Sequence, residues 1–167
     1  KLPEGKVAGL LADKDLPRYS AGRGEMLSVA TEIAIERLSS NPKGFFLMVE
    51  GSQIDWGGHS NDAKWIIEET LDFDRAVGAA IDFARKEGNT LVVVTADHET
   101  GGVSINRYDH FTGEVGIEFT TTDHTGTMVP VFAFGPGAER FTGVYHNTGI
   151  FDRMMETFGF YSAKRVN

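Results

Sequence analysis

The sequence predicts an α/β fold, a mostly parallel sheet with helices on both faces plus a short irregular hairpin insertion. Three observations predict it. Short apolar runs alternate along the chain with stripes of helical period. The runs are apolar at successive positions, as in strands covered on both sides. The two strongest runs end directly on acidic residues, where open parallel sheets gather their ligands.

Taken in order, Val7 to Leu11 reads as a strand, followed by a polar loop through Gly24. Met26 to Leu38 places Leu27, Ala30, Ile33, Ala34 and Leu38 on one helical face, and Asn41-Pro42-Lys43-Gly44 stops it. Gly44 to Val49 is a buried strand ending at Glu50-Gly51. Lys64 to Lys86 is the longest helix, with Ile66, Ile67, Thr70, Leu71, Asp74, Ala76, Val77, Ala80, Ile81 and Ala84 as its stripe and Gly88 as its C-cap. Thr90 to Ala96 is the clearest strand and ends at Asp97-His98. Gly101 to Phe119 reads as an irregular β-hairpin, Met128 to Phe134 as a last strand and Thr148 to Phe158 as a last helix. With no repeat, low-complexity tract or linker, residues 1–167 are expected to form a single unit.

Composition narrows the function. The chain has 167 residues, 41% hydrophobic and 24% charged, which is ordinary globular usage. A net charge of −8 argues against nonspecific binding to nucleic acid or to an anionic membrane. The absence of cysteine excludes disulfides and thiolate zinc sites. No apolar run is long enough to span a bilayer and no signal-peptide pattern is present. The first residue is Lys1, so the chain reads as if cut from something larger, with which a signal peptide could have been lost.

Glu50, Asp55, His59, Asp97 and His98 all fall just past the ends of two predicted strands. Three carboxylates and two imidazoles crowded together call for a positive partner, and a divalent metal is one. Asp55 and His59 are four apart and share a face in a helical turn, with Gly57 and Gly58 leaving room for close backbone approach. Asp97 and His98 are neighbours that a turn after the strand can aim at one centre. Each residue also has a plainer reading. Asp97 could cap a helix, His59 could be a surface histidine, Glu50 a solvated edge and His124 a turn residue.

The segments Gly44 to Asp55, His59, Glu69-Thr70-Leu71-Asp72-Phe73-Asp74 and Glu87 to His98 together resemble the signature region of the alkaline phosphatases, and the resemblance runs from about Gly9 to Phe158. The Val-Glu-Gly-x-x-Ile-Asp-x-x-x-His and Val-Thr-Ala-Asp-His elements, in this order and spacing, are its specific part. The resemblance implies an alkaline-phosphatase-like but incomplete fold, with a variable insertion at about 100–122. It implies that Asp55, His59 and His124 ligate a first zinc, Asp97 and His98 a second zinc, and Glu50 a magnesium. Trp56 would lie near the phosphate site. His110 and His146 match no ligand position and are read as surface or packing residues.

The family's serine nucleophile, the aspartate bridging the second zinc and magnesium, the Thr or Ser on magnesium and the phosphate-clamping arginine have no match here. Ser20, in Tyr19-Ser20-Ala21-Gly22, reads as a turn residue. The implied activity of a complete protein is hydrolysis of phosphate monoesters through a phosphoserine intermediate. This chain is expected to be the C-terminal portion, inactive alone, with the N-terminal part of the same protein as its missing partner. A periplasmic or secreted home follows from the resemblance only, and homodimerisation, common in that family, stays open. The alternatives are a piece of a related phosphodiesterase or phosphomutase, or a noncatalytic metal-binding domain.

Overall fold

The computed structural model describes residues 5–160. The elements in chain order are α1 (Met26–Ser39), α2 (Gln53–His59), α3 (Ala63–Glu87), β1 (Val92–Thr95), β2 (Glu99–Thr100), β3 (Ser104–Tyr108), β4 (Val115–Glu118), β5 (His124–Thr125), β6 (Val131–Phe134) and α4 (Gly149–Thr157), with 3₁₀ turns at Tyr19–Ala21 and Ala138–Phe141. All four helices form where period or spacing places them. α3 starts where the Asp62 side chain accepts the Trp65 amide at 3.0 Å, and it ends at Gly88, whose φ of 74° lets its N–H return to the Ala84 carbonyl. No helix among the described residues is long and apolar enough to cross a membrane.

The parallel sheet is not observed. Among the described residues the strands form three two-stranded antiparallel pairs, β1 with β6, β2 with β5 and β3 with β4. The predicted strands at 7–11 and 44–49 belong to no ladder. Apolar character at successive positions reports cover on two sides and says nothing of direction, and a strand exists only where a neighbour completes its hydrogen bonds. Residues 45–50 still alternate. Phe45, Leu47 and Val49 are half-buried, with the Phe45 ring 6.2 Å from Phe83 of α3, while Phe46 and Met48 are 61% and 74% exposed and Glu50 lies on that same open side. Residues 7–11 are exposed throughout. The hairpin is found as expected, with an irregularity of register between Ile105 and Arg107.

The core lies between α1 and α3, where Thr31, Ile35, Ala76 and Ala84 are buried. The buried face of α3 matches the stripe read from the sequence only in part, at Ala76 and Ala84. Glu69 and Asp72 are buried on it, while Ile67, Thr70, Leu71 and Asp74 face solvent. Arg23 is the reason. Its guanidinium donates to Glu69 and, at 2.8 Å, to Asp72 Oδ2, and Glu69 also accepts the Tyr19 amide at 2.7 Å. Burial alone would lower the Arg23 pKa, but the hydrogen bonds and charges of these two carboxylates outweigh it and raise it. The cluster pins the loop before α1 onto α3. A second tie follows from Gln53, whose amide donates to the Leu16 carbonyl at 2.9 Å and so joins the same loop to the first turn of α2.

Candidate metal centre

α2 carries Asp55 and His59 one turn apart, so both project from one face toward His124 of β5. The His59 and His124 Nε2 atoms are 3.1 Å apart. Asp55 Oδ2 is 3.5 Å from His59 Nε2, and Asp55 Oδ1 is 3.6 Å from His124 Nε2. His59 Nδ1 lies 2.6 Å from the Thr122 carbonyl, and because a carbonyl only accepts, that nitrogen carries a proton and leaves Nε2 as the free lone pair of the neutral ring. Two imidazole nitrogens this close either share one proton or aim both lone pairs at a cation.

The donor set fits zinc. With zinc to nitrogen or oxygen distances of about 2.0–2.2 Å, the edge of a tetrahedron between two ligands is about 3.3–3.6 Å. The 3.1 Å between the two Nε2 atoms and the 3.5 Å from Asp55 Oδ2 to His59 Nε2 lie close to that edge, while the 3.6 Å to His124 Nε2 is made by the other oxygen, Oδ1, so one carboxylate reaches both imidazoles. Two histidines and one carboxylate leave a fourth position open, as catalytic rather than structural zinc requires. Asp55, His59 and His124 are the one group of three His, Cys, Asp or Glu among the described residues with ligand atoms all within 4.8 Å of one another.

Asp97 and His98 sit in the turn between β1 and β2, which brings these sequence neighbours together with Asp97 Oδ2 at 3.3 Å from His98 Nε2. The His98 ring stacks on His124 with centroids 3.5 Å apart, so this pair adjoins the first group. Glu50 is exposed at the end of the extended segment before α2 and is not brought into the cluster. Trp56 is 37% exposed on α2, next to Asp55. His110 packs edge-on against Tyr108 in the hairpin, and the His146 carbonyl caps a turn through the Gly149 amide. Ser20 lies in a 3₁₀ turn.

The chain matches the family model described as alkaline phosphatase over residues 3–115 and 105–160. It belongs to the alkaline phosphatase family. Alkaline phosphatase 4 of Bacillus subtilis is 35% identical across 86% of this chain, which corresponds to 46% of that protein. The alkaline phosphatase of the Antarctic bacterium TAB5 superposes with a TM-score of 0.84 at 47% identity, over 92% of this chain and 46% of that one. A histidine-to-glutamate mutant of TAB5 alkaline phosphatase with Mg bound in its M3 site superposes with a TM-score of 0.83 at 48% identity, over 90% of this chain and 46% of that one. The chain thus spans about half the length of these alkaline phosphatases.

Sequence reading missed the groups that hold these side chains in place. Thr100 donates to Asp55 Oδ1 at 2.6 Å, and its Oγ1 is 3.1 Å from His98 Nδ1. Glu99 pairs with Thr125 across β2 and β5, accepts that hydroxyl and takes the Val103 and Gly102 amides at 2.8 and 3.2 Å. Burial would raise the Glu99 carboxyl, but the hydrogen bonds from Thr125, Val103 and Gly102, with His124 nearby, hold it below the usual glutamate range.

Proposed function

We propose that this chain forms the metal-binding portion of an alkaline phosphatase that hydrolyses phosphate monoesters. Asp55, His59 and His124 would hold one zinc, Asp97 and His98 would contribute to a second, and Glu50 would contribute to a magnesium. The observation that carries the reading is the convergence of one carboxylate and two imidazoles, Asp55, His59 and His124 each offering a ligand atom within 4.8 Å of the others. Magnesium bound in the M3 site of the TAB5 mutant supports a metal role in the family.

When bound, zinc supplies Lewis-acid polarisation of phosphoryl oxygens and activates a hydroxyl at neutral to alkaline pH. The chain's own residues perform the positioning. The Thr122 carbonyl turns His59 so that Nε2 faces inward, and Thr100 holds one oxygen of Asp55. A substrate dianion approaching a chain of net charge −8 would be met by a cation held by these residues, because the general surface repels it. Trp56, beside Asp55, would lie next to bound phosphate.

Among the described residues no serine hydroxyl hydrogen-bonds to Asp55, His59 or His124, so the nucleophile is expected from elsewhere in the protein, and the chain alone should not turn over. The test is zinc stoichiometry by elemental analysis together with para-nitrophenyl phosphate hydrolysis at alkaline pH, for the chain and for an Asp55→Ala, His59→Ala double variant. The expected result is about one zinc, lost in the variant, with no hydrolysis by either. Retention of zinc by the double variant would overturn the ligand assignment, and robust hydrolysis by the chain would overturn the assignment of the nucleophile.

A further inference from the structure

We propose that Thr100 is a positioning residue whose single hydroxyl couples the two halves of the metal centre, orienting Asp55 for the first cation and fixing the protonation site of His98 for the second. The proposal rests on the ligand reading above and deepens it. Thr100 Oγ1 is 2.6 Å from Asp55 Oδ1 and 3.1 Å from His98 Nδ1. A hydroxyl has one proton to give, and a carboxylate accepts only, so the proton points to Asp55. The oxygen must then accept from His98, which places a proton on Nδ1 and frees Nε2 of the neutral ring, the nitrogen that faces Asp97 at 3.3 Å. The relay therefore runs from His98 Nδ1–H to the Thr100 oxygen and from the Thr100 hydroxyl to Asp55.

The backbone is built to hold this hydroxyl where it is. Thr100 pairs with His124 in the β2/β5 ladder, so its position is tied to the third ligand as well. On its other side it lies against α2 at Gly58. A Cβ at Gly58 would meet the Thr100 carbonyl oxygen at 2.8 Å and the Thr100 Cβ at 2.9 Å, contacts that real side chains do not tolerate. Glycine is needed there for α2, which carries Asp55 and His59, to approach β2 closely enough for a side chain as short as threonine to bridge them. Serine retains the hydroxyl, valine retains the shape without it, and alanine removes both.

The experiment uses the full chain and its Thr100→Val, Thr100→Ala and Thr100→Ser variants, with folding of each checked by far-ultraviolet circular dichroism. Long-range proton–nitrogen NMR on the metal-free proteins reads which nitrogen of His98 is protonated. Competition of zinc against a chelator reads affinity. The proposal expects Nδ1 of His98 to be protonated in the parent and in Thr100→Ser, with the proton moving to Nε2 in whichever hydroxyl-free variants fold. Zinc should bind about 10- to 100-fold more weakly to those variants, and to within a few-fold of the parent in Thr100→Ser. Protonation at Nδ1 and parental zinc affinity in Thr100→Val or Thr100→Ala would overturn it, as would equal losses in Thr100→Ser. A parent chain that binds no zinc defeats the metal reading instead, and the NMR comparison still decides the role of Thr100.

Discussion

Replacing Arg23 by methionine should be among the most damaging single substitutions in this chain. The side chains of Arg23, Glu69 and Asp72 are 6%, 3% and 0% exposed, so removing the cation strands two carboxylates out of water. Breaking a buried ion pair from one side costs about 3–5 kcal/mol. Asp72 would retain Arg75 at 3.6 Å, and Glu69 would retain only the Tyr19 amide, so the loss should sit near the middle of that range, about 4 kcal/mol. For a chain of this size 1 kcal/mol moves the midpoint by about 2–4 °C, so thermal unfolding followed by far-ultraviolet circular dichroism should shift down by about 8–16 °C. Adding Glu69→Gln and Asp72→Asn to Arg23→Met should recover at least half of the loss, because the stranded charges are then gone. A loss below about 1 kcal/mol, or no recovery in the triple variant, would refute the claim that Arg23 acts by neutralising the buried face of α3.

Gly58→Ala should destabilise by about 1–3 kcal/mol, because the new methyl meets backbone and Cβ of Thr100 at 2.8 and 2.9 Å and must push α2 from β2. Chemical denaturation checks it, and zinc affinity should fall in the same variant. At the tip of the hairpin, hydrogen bonds from the Thr112 and Phe111 amides hold the Asp109 carboxyl below the ordinary 3.8. A carboxyl depressed on folding gives its stabilisation above the unfolded value and loses it as pH falls through the folded one, so hydrogen-exchange protection of those two amides should persist to below pH 3.8 and then vanish. Phe46 and Met48, exposed on an extended segment outside any ladder, should drive concentration-dependent association in sedimentation, and Phe46→Lys with Met48→Lys should abolish it.

Helices were legible because each has its own local signal. Period and caps placed α1, α3 and α4, and the i, i+4 spacing of Asp55 and His59 placed their side chains on one face of α2. Strand pairing was not legible, because it depends on partners distant in sequence. β1 and β6 were both read as parallel and are hydrogen-bonded antiparallel, Val92 facing Phe134 and Thr95 facing Val131. The stripe of α3 held at Ala76 and Ala84 but failed at Ile67, Thr70, Leu71 and Asp74, for a different reason. A rule that sends apolar residues inward exposes Glu69 and Asp72, and only the distant Arg23 reverses that preference. Thr100 and the Thr122 carbonyl escaped notice because neither has a residue type that announces metal chemistry.

The six candidate ligands divide by what this chain supplies around each. Asp55, His59 and His124 converge because α2 and the β2/β5 pair are both complete within the described residues and lock together at Gly58 and Thr100. His98 is held by Thr100 and by stacking on His124, whereas its partner Asp97 is 88% exposed. Glu50 continues the open side of Phe46 and Met48 and is exposed, with no hydrogen bond or ion pair among the described residues to set its orientation. A ligand that nothing positions loses conformational freedom when it binds, which costs affinity, so the order of site strength should follow the order of local support. The first zinc is therefore expected to bind most tightly, a second to be weaker and magnesium weakest. Stepwise titration with zinc and then magnesium, read by calorimetry, should return that order, and a magnesium site tighter than the first zinc would show that local support does not govern it.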